Sequence, residues 1–299
     1  MSSTRYYSPL RYPGGKGKIA GYMKVLLEQN LLLDGDYVEP YAGGASVALD
    51  LLVNEYVSNV HINDIDKSIY AFWHCVLHNT REFCTRVKNI ELTIDEWQKQ
   101  KEIQRRRDHH SILDVGFSTF FLNRTNRSGI ITAGVIGGLN QEGKWKIDAR
   151  FTKENLIKRI QKISDYKDRI HLYNEDAVSL VNRLDKELSK QTLFYLDPPY
   201  YDKGKELYVN YYKHEDHVEI ADMMSDINNR HWLISYDDVD PIKCLYNHFR
   251  QRLYSLNYSA AKSTKGSEVL VFSDNSIIPE IENPTSRNEI KQYYSATYT

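Results

Sequence analysis

The chain has 299 residues, of which 41% are hydrophobic and 26% are charged, and its formal net charge is −1. This composition is typical of a globular protein with one large or two modest domains, and it argues against a uniformly basic nucleic-acid binder. Three cysteines form no paired framework and no metal-ligand spacing, the start of the chain lacks an apolar signal core, and no run of about 18 apolar residues occurs. We therefore expect a cytoplasmic protein that is neither secreted nor membrane-spanning.

The first part of the chain predicts alternating helices and strands. Apolar residues recur at helical spacing between Lys18 and Leu33. The stretch DYVEPYAGGASVALDLL then predicts a strand, a Gly/Ala turn and a helix, and NVHINDID predicts a second strand that ends in acids. A helix follows from about Lys67 to His78. This βαβ pattern predicts a parallel sheet with helices on both faces.

The pattern changes over residues 82–167, which we interpret as an insert. Helical stretches at Ile94–Arg107 and Ser111–Leu122 lead to a segment rich in Gly, Asn and basic residues, whose strand-like pieces are separated by turn signals. This segment predicts a loop or hairpin. Between Lys144 and Arg169 there are nine Lys/Arg against four Asp/Glu. Such a run indicates either a solvated helix face or a surface that binds a polyanion.

The α/β pattern resumes after the insert. The sequence predicts strands at Ile170–Tyr173, Leu193–Leu196 and Trp232–Ser235, helices from Asp176 and over Glu215–Ile227, and an antiparallel pair at Arg252–Tyr258 and Glu268–Ser273. We therefore expect a discontinuous catalytic domain of residues 1–81 and 168–278, with residues 279–299 as a polar, flexible tail.

The turn after the first strand has features of a cofactor loop. In YVEPYAGGAS, small residues between a strand and a helix let backbone amides approach a ligand closely. Asp64, 25 positions after Glu39, ends the next strand, where a carboxylate can accept hydrogen bonds from a ribose diol. The G-x-G-x-x-G fingerprint is absent, so a plain tight turn is the alternative.

Other motifs for cofactors, metals or nucleophiles do not match. YPGGKGKIA departs from the phosphate-loop pattern because no Ser or Thr follows Lys18, and we interpret it as a flexible lid over a cofactor. The pairs His109/His110 and His214/His217 lack the spacing of metal ligands, and no G-x-S-x-G is present. We therefore predict no metal site.

The stretch TLFYLDPPYYDKG places an acid, two prolines and two tyrosines at the end of a strand. Open α/β sheets carry their chemistry at this edge. The Asp197 carboxylate and the Pro198 carbonyl can accept both hydrogens of an exocyclic amine, which directs the nitrogen lone pair at an electrophile. The prolines keep that carbonyl fixed, and Tyr200 can stack on a base that has left a helix. A proline-terminated strand with a buried tyrosine is the alternative.

The order of these motifs resembles that of the Dam-like, α-group adenine-specific DNA methyltransferases along nearly the whole chain. The matching stretches are YPGGK, EPYAGGAS, NDID, LNRTNRSG, NEDA, DPPY, YVNYYKHEDHVEIA and WLISYDD. The resemblance implies a Rossmann-like fold and transfer of a methyl group from S-adenosylmethionine to the N6 amino group of a flipped adenine in duplex DNA. It also implies the cytoplasm of a bacterial or phage-infected cell and a possible cognate restriction endonuclease. It implies no membrane, no particular oligomer and no recognition sequence.

The same resemblance assigns residues to the predicted site. The residues expected to hold S-adenosylmethionine are Tyr12, Lys16, Glu39, Tyr41, Gly43, Asp64, Asp176 and Asp197. The residues expected to hold the adenine are Asp197, Pro198 and Tyr200. Further candidates for the adenine pocket are Tyr201, Tyr208, Tyr211 and Tyr212. Those expected to contact DNA are Arg124, Asn126, Arg127, Lys144 and Lys146. Arg can read guanine, Asn can read adenine, and Arg or Lys can bind phosphates. A plain structural role is the alternative for each.

Three alternative functions remain open from the sequence. The same chemistry could act on an adenine in structured RNA, and transfer to DNA or RNA would separate the two. A degenerate homologue could bind DNA without catalysis, although Asp197, Asp64 and Lys16 are all present. A dehydrogenase would explain the Gly loop but would leave Asp-Pro-Pro-Tyr without a role.

Overall fold

The computed structural model describes residues 7–11, 16–202, 212–227, 229–258 and 264–297. The chain divides into two compact units, the first formed by Met1–Gly15 and Asp64–Asn174, and the second by Lys16–Asn63 and Glu175–Thr299. Within the described ranges no helix is both long and apolar enough to cross a membrane. The predicted domain boundaries stay predictions, because compactness alone assigns no function to either unit.

The described part of the chain is an α/β protein, as predicted. Its strands are β1 (Asp36–Glu39), β2 (Asn59–Asn63), β3 (Ile170–Tyr173), β4 (Thr192–Leu196), β5 (His231–Asp237), β6 (Arg250–Tyr258) and β7 (Thr264–Phe272). Its helices are α1 (Ala20–Gln29), α2 (Ser46–Val53), α3 (Lys67–His78), α4 (Thr80–Asn89), α5 (Ile94–Arg105), α6 (Ile112–Thr125), α7 (Lys153–Ser164), α8 (Ala177–Glu187), α9 (His214–Asp226), α10 (Asp240–Leu245) and α11 (Arg287–Thr297).

Six of these strands form the sheet of the second unit, in the order β2-β1-β4-β5-β7-β6. The pairs β1–β2, β1–β4 and β4–β5 are parallel, and β7 pairs antiparallel with β5 and β6. Every residue of β4 is buried, as expected for a central parallel strand covered on both faces. The predicted parallel sheet and the closing antiparallel pair are both confirmed.

Two helices begin where the sequence supplies a capping acid. The Asp66 carboxylate accepts a hydrogen bond from Ser68 N at 2.8 Å at the start of α3, and Asp176 accepts one from Ser179 N at 2.9 Å at the start of α8. Such caps satisfy backbone amides that have no partner within the helix. The acids that follow β2 and β3 therefore also set the start of the next helix.

The first unit is built around a buried helix. Every residue of α6 is buried except Ile112, Asp114 and Arg124. Its Gly116 lies so close to α3 that a Cβ atom there would be 2.5 Å from the carbonyl oxygen of Ala71. Aromatic rings pack beside this contact, with the Phe83 and Phe120 centroids 5.5 Å apart. The helical character predicted for this part of the insert is confirmed.

Two expectations differ from the structure. Of the loop or hairpin predicted after Arg124, the structure shows the loop. The segment up to Arg150 forms turns and short 3-10 helices with one isolated bridge, between Asn126 and Val135, and its strand-like pieces form no strands. The Gln141 side chain donates to the carbonyl of Ile136 and so takes an acceptor that a strand partner would need. Within the predicted flexible tail, residues Arg287–Thr297 form α11, whose tyrosines bond with α1 at Gln29 and Glu28.

Candidate functional site

The carboxyl ends of β1, β4 and β5 bring polar side chains together in the second unit. Val38 pairs with Phe194, and Leu196 pairs with Ile234. Asp197, the residue after β4, therefore lies beside the end of β5, where its Oδ1 accepts a hydrogen bond from Ser235 Oγ at 2.7 Å. The strand order thus places the first residue of Asp-Pro-Pro-Tyr where the sequence predicts chemistry.

Lys16 joins Asp197 to a second carboxylate that the sequence did not indicate. Its Nζ lies 3.3 Å from Asp197 Oδ1 and 2.7 Å from Glu268 Oε2. Glu268, on β7, is fully buried and also accepts hydrogen bonds from the hydroxyls of Tyr200 and Tyr254. The Lys16 ammonium lies 5.3 Å from the centre of the Tyr200 ring. The structure thus brings the predicted residues Lys16, Asp197 and Tyr200 together around Glu268.

The two carboxyl groups differ in electrostatic environment. Burial opposes ionisation of Glu268, but the Lys16 charge and the donors around it outweigh burial and lower the Glu268 pKa. Burial raises the pKa of Asp197, and Lys16 offsets this only in part. Burial would lower the Lys16 pKa, yet Asp197 and the other neighbours raise it well above its usual value. An ammonium and a Glu268 carboxylate are therefore favoured here, whereas the Asp197 carboxyl binds a proton more readily than an ordinary aspartate does.

The residues of Asp-Pro-Pro-Tyr are held in place by their surroundings. Pro198 is buried, and Tyr200 is only 3% exposed. The Asp237 carboxylate, at the end of β5, accepts hydrogen bonds from the backbone amides of Tyr201 at 2.9 Å and Asp202 at 3.1 Å. Because Ser235 also bonds to Asp197, the Asp-Pro-Pro-Tyr turn is held at both ends. Stacking of Tyr200 on a base would require a movement that uncovers its ring.

The predicted cofactor loop forms a tight turn between β1 and α2. Gly43 and Ala45 both have a φ of 46°, in the left-handed region that favours glycine. The Asn63 side chain donates to the carbonyl of Pro40 at 2.9 Å, which fixes the start of the loop. Glu39 is buried and accepts a hydrogen bond from Ala48 N at 3.2 Å, and burial raises the pKa of its carboxyl to about 8.

Two more of the predicted cofactor residues lie at the surface of the second unit. Tyr41 is half-buried and packs edge to face against Tyr212, with ring centroids 6.1 Å apart. Asp176 is exposed and caps α8. No described residues form a group of three or more His, Cys, Asp or Glu placed to hold a metal ion.

Asp64 belongs to the first unit. Its Oδ1 accepts a hydrogen bond from Asp66 N at 2.9 Å, and its carbonyl accepts one from the Asn174 side chain at 2.7 Å. These bonds hold the turn between β2 and α3. Tyr12, Tyr208 and Tyr211 lie outside the described residues.

The predicted DNA-contacting residues of the first unit differ in burial. Asn126 is fully buried, with its side chain accepting from Trp97 Nε1 at 2.7 Å and donating to the carbonyls of Ile130 and Ile131. These bonds give it a structural role. Arg127, Lys144 and Lys146 are exposed.

Arg124 lies among other arginines of the first unit. It is half-buried, and its Nε donates to the carbonyl of Arg150 at 2.8 Å. Burial, together with the like charges of Arg11, Arg159 and Arg150, lowers its pKa to about 9. Each of these guanidinium groups therefore destabilises the charge of Arg124.

Sequence reasoning missed four residues. Glu268 and Tyr254 give no local motif, since their importance depends on strand pairing between distant segments, and nothing within the stretch WLISYDD distinguishes Ser235 from its neighbours. Trp145 is 64% exposed, and the Lys144 ammonium lies 5.7 Å from the centre of its ring. Its signal was an aromatic residue between two lysines in a polar segment.

Comparisons with known proteins identify the family of this chain. The family described as D12 class N6 adenine-specific DNA methyltransferase matches residues 12–261. The protein named type II methyltransferase M.MjaIII, from Methanocaldococcus jannaschii, is 24% identical over 245 residues, covering 74% of this chain and 80% of that protein.

Similarity to solved structures is weaker. The rRNA methyltransferase aviRa from Streptomyces viridochromogenes is 12% identical over 88% of this chain and 87% of its own, with a TM-score of 0.36. The family match spans most of this chain and includes Lys16, the Gly loop and Asp197. The chain therefore belongs to the D12 class N6 adenine-specific DNA methyltransferases, and it is an adenine methyltransferase with a Rossmann-like α/β fold.

Proposed function

We propose that this enzyme transfers a methyl group from S-adenosylmethionine to the N6 amino group of an adenine that has been flipped out of duplex DNA at a specific site. The observation that carries the proposal is the placement of Asp197. Its side chain is 20% exposed, the only carboxyl of the Lys16 cluster with access to solvent among the described residues, and its neighbour Pro198 is buried. A substrate amine can therefore reach Asp197 Oδ atoms from outside while the backbone beside them stays rigid.

Asp197 and Pro198 orient the amine. The lone pair of an adenine amine is delocalised into the ring, which makes the nitrogen a weak nucleophile. Acceptance of its two hydrogens by the Asp197 carboxylate and the Pro198 carbonyl favours a pyramidal nitrogen, with the lone pair free. Because burial raises the Asp197 pKa, this carboxylate is also suited to accept the proton that the nitrogen loses as it gains the methyl group.

Several residues of the second unit fit S-adenosylmethionine. When bound, that cofactor supplies an activated methyl group on a cationic sulfonium. Ala45, the residue before α2, provides no side-chain cap, so the start of the helix can receive a ligand carboxylate beside the Ala48 amide that Glu39 already binds, and Gly43 lets a ligand approach the backbone. We assign Glu39, Tyr41 and Asp176 to this ligand as well.

The remaining cofactor assignments rest on the sequence. We assign Asp64 to the ribose hydroxyls, because its carboxylate follows β2 directly. Tyr12 and Lys16 keep the cofactor role predicted for them.

Transfer proceeds by placing the amine and the methyl group in line, so the chemical demand on the protein is mainly positioning.

Charge in the first unit supports DNA as the substrate. Arg11, Arg150 and Arg159 each oppose the charge of Arg124, and among the described residues no carboxylate offsets them there. A polyanion would relieve this repulsion. We therefore propose that phosphates of DNA bind here and at the exposed lysines, with affinity that falls steeply as salt rises.

Label transfer from tritiated S-adenosylmethionine tests the proposal. Unmethylated duplex DNA and a structured RNA are supplied separately, and the labelled nucleoside is identified after digestion. We expect N6-methyladenine in the DNA and none in the RNA. Label only in RNA would move the function to an RNA adenine methyltransferase, and cofactor binding without transfer to either would indicate an inactive DNA-binding homologue.

A role in DNA modification extends the proposal. The Methanocaldococcus relative is named a type II methyltransferase. On that ground we propose that this enzyme protects DNA from a companion restriction endonuclease. DNA from cells that express the chain should then resist a nuclease that cleaves at the methylated site, and cleavage of that DNA would contradict this extension.

A further inference from the structure

Glu268 lies at the centre of the buried cluster formed with Lys16, Asp197, Tyr200 and Tyr254. The sheet places it opposite Tyr254 of β6. Its Oε2 accepts from Lys16 Nζ at 2.7 Å and from the Tyr254 hydroxyl, and its Oε1 accepts from the Tyr200 hydroxyl. An isolated carboxylate at this depth would be costly, so these donors are what allow it to remain ionised.

Lys16 lies between two carboxylates in unequal surroundings. The Glu268 oxygen is closer to Lys16 Nζ, at 2.7 Å against 3.3 Å for Asp197, and the Glu268 side chain is 0% exposed against 20% for Asp197. Coulomb attraction is stronger at shorter distance and is less screened away from water. Glu268 therefore makes the shorter and better shielded ion pair with Lys16, and the two carboxylates share a single ammonium.

We propose that Glu268 is a positioning residue for methyl transfer, which binds Lys16 and thereby leaves the Asp197 carboxylate available to the substrate amine. This inference rests on the function proposed above, in which Asp197 accepts hydrogens from that amine. Without the Glu268 charge, Asp197 becomes the only carboxylate in the described part of the chain that pairs with Lys16. The ammonium then competes with the amine for the same oxygen.

The same carboxylate also holds the other end of Asp-Pro-Pro-Tyr. Tyr200 donates its hydroxyl to Glu268, while Lys16, bound to Glu268, contacts Asp197. Glu268 thus connects to both ends of the turn through separate partners. Its distance in sequence from Asp197 explains why no local motif revealed it.

Glu268→Gln tests the proposal. Gln keeps the size of the side chain and an acceptor for one tyrosine but removes the charge. We expect kcat to fall about 10-fold to 100-fold, because a misplaced reacting group costs up to about that much. The acidic limb of the pH–rate profile should move to lower pH, since Asp197 loses a neighbouring negative charge and keeps the Lys16 ammonium.

The titratable groups that face Asp197 are Lys16, Tyr37, Glu39, Tyr195, Tyr200, Tyr254 and Glu268.

Tyr254→Phe is the matched control. It removes one hydrogen bond to the same carboxylate and leaves the charge in place, so the acidic limb should stay where it is in the wild type. A Glu268→Gln enzyme that is slow but keeps the wild-type acidic limb would show that Glu268 only supports the structure. That result would overturn the proposal.

A titration that does not depend on activity separates this inference from the proposed function. The Asp197 carboxyl carbon is followed by NMR in selectively ¹³C-labelled protein, and the Glu268→Gln change should lower its pKa. If loss of the Lys16–Glu268 ion pair prevents folding of Glu268→Gln, the comparison is made between Lys16→Gln and Lys16→Gln/Glu268→Gln, and the Asp197 pKa should again be lower without the Glu268 charge. A pKa that stays or rises overturns the inference, even if the wild type methylates no DNA.

Discussion

Replacement of Glu39 by Gln should remove a pH dependence of stability that this buried carboxyl imposes on the wild-type chain. Glu39 is 4% exposed at the end of β1, and burial raises the pKa of its carboxyl from 4.5 to about 8. The hydrogen bond from Ala48 N opposes this shift only in part. Gln keeps an oxygen that can accept from Ala48 N, and it has no proton to lose.

The sign of the effect follows from proton binding. Below the unfolded pKa of about 4.5 the Glu39 carboxyl is protonated in both states, so its full contribution to stability is present. As the pH rises from there to about 8, the unfolded chain releases the proton first and the folded chain retains it. The free energy of unfolding therefore falls over this range and levels off above it.

The magnitude is bounded by the shift. At about 1.36 kcal/mol for each unit of pKa, a rise from 4.5 to about 8 corresponds to at most roughly 5 kcal/mol. Local relaxation and water penetration reduce the cost of a buried charge. We therefore expect the wild type to lose about 1–3 kcal/mol relative to Glu39→Gln between about pH 5 and about pH 8.5.

Urea unfolding of both proteins at the two pH values measures this difference, because titrations common to both cancel. Glu154→Gln, at an exposed position of α7, is the control for the replacement itself. A difference between wild type and Glu39→Gln that is the same at both pH values would refute the reasoning, since it would mean that Glu39 titrates alike in the folded and unfolded chain.

Three further predictions concern the first unit. Gly116→Ala should lower the free energy of unfolding by about 1–3 kcal/mol, because its Cβ would lie 2.5 Å from the carbonyl oxygen of Ala71. The control is Gly134→Ala, where a Cβ would meet nothing within 4 Å, and it should change the free energy of unfolding little in urea titrations. An equal loss of stability in Gly116→Ala and Gly134→Ala would contradict the packing argument. Asn126→Ala should cost about 2–3 kcal/mol in the same assay, since it leaves buried partners without hydrogen bonds. If Asn126→Ala instead keeps the stability of the wild type but methylates a different target sequence, Asn126 reads a base. Trp145→Ala should weaken duplex binding about tenfold in an anisotropy titration, because this exposed ring can stack on bases or sugars. Unchanged affinity would exclude that contact.

Much of the fold was predictable because its signals are local. The helix Lys67–His78 and the strand Ile170–Tyr173 have the predicted bounds, since apolar periodicity and the acids before each helix define their limits. The segment after Arg124 was not predictable in the same way. Its apolar residues suggested strands, but the left-handed Gly137 and Gly138 and the side chain of Gln141 stabilise turns instead.

The candidate site was predictable only where a motif carries the chemistry. Asp197 stands out because two prolines follow it at the end of a strand. Glu268 does not, because its role depends on β7 lying beside β5 and on a contact with Lys16, 252 positions away in the chain. Buried ion pairs between distant segments have no pattern in a single sequence.

The most direct test of the account compares the wild type with Asp197→Asn in a single turnover, with S-adenosylmethionine and unmethylated duplex DNA both saturating. Asn retains the size of the side chain but removes the carboxylate. The control is Ser235→Ala, which keeps the carboxylate and removes the hydrogen bonds that Ser235 Oγ forms with Asp197 and Tyr195. We predict that Asp197→Asn lowers the rate of N6-methyladenine formation about 10²-fold to 10⁴-fold, and that Ser235→Ala lowers it far less. Methylation by Asp197→Asn at the wild-type rate would contradict the role of this carboxylate and, with it, the mechanism proposed here.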